Sequence, residues 1–227
     1  MKRFYKSVTV GDDAAILLDN RPVRTPAGNR LALPTRALAD AIAQEWKEQG
    51  DTVVPASMPL TKFANTTLDG IARNRAAVAA ELASYGGNDL LCYRAEDEPL
   101  AIRQAAHWDA ILDWAHETHG ARLTTASGVI HVPQTPGSQT ALAKAVEALD
   151  DWTLAGLQPL VTITGSLVLA LAVAAGRLTP AQGFVLSRVD EDFQAEKWGV
   201  DDEARERAEN LAAEIEIAAK FIALARA

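Results

Sequence analysis

The chain has 227 residues, of which 48% are hydrophobic and 23% charged, with 14 Gly and 10 Pro. This composition is that of an ordinary globular protein, long enough to bury one large core or two smaller ones. The formal net charge of −8 argues against nucleic acid as the main partner. The charge is uneven, because residues 1–36 carry seven basic and three acidic residues, whereas residues 180–227 carry six basic and eleven acidic.

The amino-terminal residues predict a β meander followed by a helix. Apolar residues alternate along residues 4–10, and turn sequences separate further extended runs at 14–18, 22–25 and 30–33. Thr35 is placed to cap a helix whose apolar stripe is Leu38, Ile42 and Trp46, and Gly50 is placed to end it. Residues 51–58, with prolines nearby, are the predicted link to the rest of the chain.

From Leu60 onward, helical spacing of apolar residues dominates. Helices are predicted over residues 60–82, 99–119, 160–175 and 179–198, with another ending at Leu149 and a last one beginning at Asp201–Glu203. The last helix is predicted to bury Ala204, Ala208, Leu211, Ile215, Ala218 and Ile222. The apolar stretch 160–175 is too short and too polar to span a bilayer, so a buried helix is expected there.

Two shorter patterns indicate strands among these helices. Asp89–Tyr93 is typical of a buried strand, so Cys92, the single cysteine, is expected to be a small core residue rather than a catalytic thiol. A lone cysteine also excludes an internal disulfide and favours a reducing compartment. Residues 122–125 and 128–132 predict a hairpin, which leaves open a discontinuous boundary in which the hairpin joins the amino-terminal sheet.

These patterns together predict an α+β fold. A small β-rich amino-terminal domain with one or two helices is expected over residues 1–58, and a mainly α-helical, orthogonal bundle-like carboxy-terminal domain over residues 59–227.

The acidic helix over 179–198 is the most informative segment of the sequence. Leu186, Val189 and Phe193 form its apolar stripe, and Glu196, seven residues after Val189, falls on the same stripe. A carboxylate at such a position needs an internal partner, such as a salt bridge to Arg or Lys, or reaches solvent from the helix end, or faces another protein. Trp198 lies on the opposite side from Val189, which makes it the candidate exposed anchor.

The other acidic residues of this helix allow simpler explanations. Glu191 points outward in the predicted helix, and Asp192 is spaced to pair with Arg188 at i,i+4. Phe193 by its spacing alone fits the core better than an interface.

No set of catalytic groups can be assembled from the sequence. It has no phosphate-binding loop, no dinucleotide fingerprint and no complete nucleophile elbow, so an enzyme, a cofactor and a bound metal are not expected. Two alternatives stay open at this point. His116 and His119 could co-ligate a metal as an i,i+3 pair in a small metal-dependent hydrolase. Arg21, Arg24 and Arg30 could form the basic lobe of a nucleic-acid adaptor.

Three groups of segments together resemble a known family. They are Arg3–Lys6 with 17–29, then Met58–Thr61 through 89–94, and finally Thr164–Leu171 with the acidic helix ending at Trp198-Gly199. This pattern is similar to the assembly chaperones dedicated to the alpha subunit of the soluble catalytic sector of F-type ATP synthase, found in mitochondria and in some bacteria. The resemblance covers nearly the whole chain and rests on the number and order of the segments.

The resemblance implies a β-containing amino-terminal domain, a helical carboxy-terminal domain and no nucleotide hydrolysis. It also implies transient binding of unassembled alpha subunit and release when the beta subunit takes its place. Without a recognisable presequence or signal peptide, a bacterial, cytoplasmic protein is expected, whereas eukaryotic relatives work in the mitochondrial matrix. We expect a monomer when free, with no nucleic acid partner and no membrane insertion. The hypothesis places Glu191, Asp192, Phe193, Glu196 and Trp198 at or near the contact with the partner.

Overall fold

A computed structural model describes residues 1–128 and 130–227. The predicted α+β fold is confirmed, with a small amino-terminal sheet followed by helices. Contacts divide the chain into two compact units. Unit 1 comprises Met1–Arg75, Asp151–Gly156 and Lys220–Ala227, and unit 2 comprises Ala76–Asp150 and Leu157–Ala219. These units are groups of residues that pack together and do not test where one domain ends and the next begins. The predicted domains 1–58 and 59–227 therefore stay a prediction.

The sheet of unit 1 contains strands β1 (Val8–Val10), β2 (Ile16–Leu18) and β3 (Arg21–Pro22), paired antiparallel in that order. Its register places Val8 opposite Leu18 and Val10 opposite Ile16. Asp19 and Asn20 turn the chain between β2 and β3 with φ of 48° and 63°, a conformation that these two residue types tolerate.

Helix α1 (Arg36–Lys47) begins as the sequence predicts, because the Thr35 hydroxyl accepts a hydrogen bond from the amide of Leu38. Its stripe of Leu38, Ile42 and Trp46 is buried. The next helical run is not one helix over 60–82. It consists of α2 (Pro59–Thr66), a π-helical turn (Thr67–Ile71) and α3 (Ala72–Ser84).

The start of α2 is stabilised by a contact with a residue distant in sequence, which local sequence patterns do not reveal. Met58, the residue before this helix, supplies no side-chain cap. The carboxylate of buried Glu45, on α1, instead accepts hydrogen bonds from the amides of Leu60 and Thr61 and from the Thr61 hydroxyl, at 2.7 to 2.8 Å. Burial raises the pKa of Glu45, against these hydrogen bonds.

The remaining helices follow in chain order. They are α4 (Glu98–His119), α5 (Pro136–Glu147), α6 (Asp151–Thr164), α7 (Leu167–Ala174), α8 (Pro180–Ser187), α9 (Val189–Trp198) and α10 (Asp202–Ala225). Among the described residues, no helix is both long and apolar enough to cross a membrane. The predicted buried helix over 160–175 is interrupted where Gly165 adopts a φ of 65° and Ser166 caps α7.

The predicted hairpin over 122–132 is wrong. The short strand in this region is β5 (Ala126–Ser127), which pairs in parallel with β4 (Tyr93–Arg94), and both lie in unit 2. The amide and carbonyl of Thr124 bind the side chain of Gln134 at 2.7 and 2.8 Å, so this backbone is satisfied without a strand partner. Val129, which the prediction included, lies outside the described residues.

The predicted strand over 89–93 is also mostly a turn. Leu90–Cys92 form a single 3₁₀ turn, because the Asp89 carboxylate accepts a hydrogen bond from the amide of Leu91. The same carboxylate accepts one from Val168, at the start of α7. Cys92 is nevertheless buried, and burial raises the pKa of its thiol to about 12, which suits a core residue rather than a nucleophile.

The burial predicted for the last helix holds only for its second half. Ile215, Ala218 and Ile222 are buried, whereas Ala208 and Leu211 are half-buried and Ala204 is exposed. The apolar spacing continues beyond the part of α10 that packs against other residues.

Candidate protein-binding surface

The acidic segment forms two helices rather than the single one predicted. Helix α8 begins with a capping box of Thr179 and Gln182, and it ends at Arg188, whose φ of −112° and ψ of 16° break the helical path. Helix α9 then starts afresh, so the spacing that aligned Glu196 with the core no longer applies. Glu196 lies on the surface, with 61% of its side chain exposed, and the prediction of a core position is wrong.

Glu196 is held by an arginine from another helix of unit 2. Arg103, on α4, donates two hydrogen bonds to its carboxylate at 2.7 and 2.8 Å. The bidentate contact lowers the pKa of Glu196 and raises the pKa of Arg103. Of the explanations open from the sequence, the salt bridge is therefore present, and its exposure leaves the carboxylate accessible to a partner as well.

Phe193 lies half-buried between two cations. The Lys197 ammonium is 4.0 Å from the centre of its ring, and the Arg103 guanidinium is 6.0 Å away. Lys197 also forms an ion pair of 3.4 Å with Asp97, the residue that caps α4. Polar and cation–π contacts thus hold the second half of α9 against α4.

The start of α9 is anchored more deeply. Buried Gln104 donates a hydrogen bond of 2.7 Å to Asp190 and accepts one from the amide of Ala95. The indole of buried Trp108 donates to the carbonyl of Leu186, at the end of α8. Sequence reasoning missed Gln104, because its spacing on α4 places a polar residue in a core position without revealing which acid it meets.

Of the remaining predicted residues, Glu191 and Trp198 face solvent and Asp192 is half-buried. Trp198 is 77% exposed, next to Gly199, which ends α9, and Val200 is 49% exposed. Glu191 is exposed, and Asp192 lies 3.8 Å from Arg188, the i,i+4 pairing that the sequence predicts. The structure therefore brings Phe193 and Glu196 together around Arg103, and it leaves Glu191 and Trp198 without a hydrogen bond or ion pair to any described side chain.

The histidine pair gains no further ligands in the part of the chain that the structure describes. His116 Nε2 lies 3.0 Å from Arg122, and the His119 ring packs edge-on against Trp114 at 5.1 Å. Burial lowers the pKa of His119. Among described residues, no three His, Cys, Asp or Glu side chains come together as a metal site would require.

Two of the three arginines that could bind nucleic acid already make contacts within the fold. Arg30 forms an ion pair of 2.6 Å with Asp13, and Arg24 donates to the carbonyl of Gly28 at 2.8 Å. Arg21 is exposed, and its side chain has no hydrogen bond or ion pair to a described residue.

Comparisons with known proteins give consistent matches. A family model described as ATP12 chaperone protein matches residues 2–116. The chain is similar to the solved structures of Atp12 from Paracoccus denitrificans and of the D202K mutant of that protein, with 44% identity to each and TM-scores of 0.95 and 0.96. Both matches cover 99% of this chain and 98% of the other. It is also similar to the protein Atu1473 of Agrobacterium tumefaciens, with 41% identity, a TM-score of 0.89 and coverage of 97% and 84%.

Proposed function

Because the chain belongs to the ATP12 chaperone family, we propose that it is an assembly chaperone of F-type ATP synthase that transiently binds the unassembled alpha subunit of the catalytic sector. It shields the surface of alpha that later contacts beta, and beta replaces it. The observation that carries this proposal is the 44% identity to Atp12 from Paracoccus denitrificans over 99% of the chain.

The physical task matches the character of α9. A subunit waiting for its partner exposes apolar surface, and such surface drives aggregation. A chaperone covers it best with a few apolar anchors among charges, because the charges set orientation and keep the complex dissociable. In this proposal Phe193 and Trp198 supply the anchors, and Glu191, Asp192 and Glu196 supply the charges.

The remaining properties belong to the same proposal. The protein acts by binding, without catalysis or a cofactor, and it has neither nucleic acid nor a membrane as partner. It works in the bacterial cytoplasm and is a monomer when free. The lone, buried Cys92 supports a reducing compartment.

The first test is co-expression with the alpha subunit from the same source, followed by size-exclusion chromatography beside alpha expressed alone. The proposal expects a stoichiometric complex that disappears when beta is added. Soluble alpha that does not co-elute with the chain would defeat it. A complex that beta cannot dissolve would contradict the replacement step but not the binding.

A further inference from the structure

An apolar cleft lies on unit 1 beside the amino-terminal residues. It has two lobes of about 680 and 500 Å³, and Met1 and Trp46 line both. Phe4 and Val23 contribute to the larger lobe, and Met58 to the smaller. Volumes of this size are typical of ligand sites.

The cleft exposes large apolar side chains on a segment that is held in place. Met1 is 71% and Phe4 is 63% exposed. The backbone around them is fixed, because the Arg3 guanidinium donates to the carbonyl of Gln49 and the Tyr5 hydroxyl donates to the carbonyl of Trp46 at 2.6 Å. Exposed apolar side chains on an ordered backbone mark an interaction site rather than a frayed end.

Trp46 supplies a polar group that lacks a partner. Its side chain is only 9% exposed, and its indole N–H has no hydrogen-bond acceptor among the described residues. A buried donor without an acceptor is destabilising, so the free protein bears a cost at this wall of the cleft.

The charged groups that line the cleft are mostly basic. Arg21 and Arg24 line the larger lobe and Lys62 the smaller. The one acidic lining residue is Asp19, whose carboxylate accepts hydrogen bonds from the amides of Lys6 and Ser7. These hydrogen bonds lower the pKa of Asp19, and they engage its carboxylate in contacts within the fold. The cleft therefore combines apolar walls with a positive rim.

We propose that this cleft holds an extended segment of the client protein in which a large apolar side chain stands next to an Asp or Glu. The apolar side chain fills the larger lobe, which Phe4 lines, and Arg21 binds the carboxylate. Arg24 assists with the guanidinium N–H groups that its hydrogen bond to the carbonyl of Gly28 leaves free. The openness of the cleft favours a peptide segment, since small-molecule sites enclose most of their ligand's surface. This inference rests on the proposed function, which makes the client the unassembled alpha subunit, and it adds a contact on unit 1 to the one proposed on α9.

The test measures binding of short overlapping fluorescent peptides that span the alpha subunit from the same source, by fluorescence anisotropy with the full chain. Peptides with an apolar residue beside an acid should bind the wild type. Arg21→Glu combined with Arg24→Glu should weaken them about tenfold or more, because two attractive contacts become repulsive. Phe4→Ala should weaken the same peptides. Arg177→Glu, an exposed arginine of unit 2, serves as the matched control and should leave binding unchanged.

Further outcomes separate this inference from the proposed function. If whole alpha subunit co-elutes with every variant and no peptide distinguishes them, the cleft inference is wrong and the proposed function stands. If alpha co-elutes with no form of the chain, wild type included, the proposed function is wrong. Displacement of a bound apolar dye by dodecanoate, with no peptide binding, would identify a site for small amphiphiles and overturn the inference.

Discussion

At the scale of single residues, a substitution in the ion pair of Arg103 and Glu196 can distinguish a structural role of Glu196 from a role in partner binding. The pair is bidentate, but 61% of the Glu196 side chain is exposed, and ion pairs in contact with water add little to the free energy of unfolding. We expect Glu196→Lys to abolish co-elution with the alpha subunit while the thermal midpoint changes little.

Glu209→Lys provides the control for this charge reversal, because Glu209 is an exposed acid on α10. It should keep co-elution and stability. If Glu196→Lys unfolds the chain, Glu196 is a structural residue and its place in the proposed interface is wrong.

The same pair predicts a pH dependence. Hydrogen bonding to Arg103 lowers the pKa of Glu196 below its ordinary value of 4.5, so the stabilisation from the pair is complete above that value and is lost as the pH falls through the folded-state pKa. Arg103→Met should raise this pKa towards its ordinary value, measured by NMR of the side-chain carboxyl carbon. Arg177→Met should not shift it. An unchanged titration in Arg103→Met would mean that the pair does not form in solution.

At the scale of elements, α7 and α9 are held by different forces. All eight residues of α7 are buried, whereas Val189 is the one fully buried residue of α9. Helix α9 instead depends on charged groups of α4 and its cap, because Arg103 of α4 pairs with Glu196 and the capping residue Asp97 pairs with Lys197. Forces of this kind weaken as salt screens them, while apolar packing does not.

We therefore expect hydrogen exchange of the α9 amides to accelerate as sodium chloride is added, with the α7 amides unaffected. The measurement is exchange followed by mass spectrometry at matched pH and temperature. Equal salt sensitivity of the two helices, or none in either, would show that packing rather than charge holds α9. A helix held in this way can rearrange when a partner binds, because the partner's charges can replace those of α4.

At the scale of the whole molecule, the elements that neighbouring residues determine could be predicted from the sequence, and those that distant contacts determine could not. The stripe of Leu38, Ile42 and Trp46 predicts α1 and its buried face, because apolar residues that recur every three or four positions indicate a helix. The break at Arg188 and the start of α2 were not predictable in this way. Glu45 reaches the amide of Leu60 and Asp89 reaches that of Val168, and such contacts between distant residues carry no periodic signal.

The candidate site, too, could be predicted only in part from the sequence. The sequence places Glu196 on an apolar stripe, and a salt bridge to Arg or Lys is one explanation for a carboxylate there. It does not indicate Arg103, which is 93 residues away, nor that the helix would break and move Glu196 to the surface. The proposed identity of the client rests on the order of many segments, which reflects the family to which the chain belongs and not the forces within this chain.

The uneven packing of α10 gives a last prediction for the molecule as a whole. Its first turns carry Arg205 and Arg207, which are exposed and contact acids of the same helix, while Phe221 and Ile222 near its end are buried. A helix stabilised mainly by its own contacts opens locally at low free-energy cost, and proteases cut such segments first. We expect limited trypsin digestion to cleave after Arg205 and Arg207 before it cleaves after other arginines.

Arg103 and Arg188, both half-buried, are the reference sites in the same digest, and mass spectrometry of the early fragments reports the order. Simultaneous cleavage at all four sites would mean global unfolding rather than local opening of α10. The same digest repeated on the complex with alpha reports whether the client covers the start of α10. Trp198 stands four residues before α10, so a client bound at α9 should slow cleavage at Arg205, and unchanged cleavage would limit the interface to residues before α10.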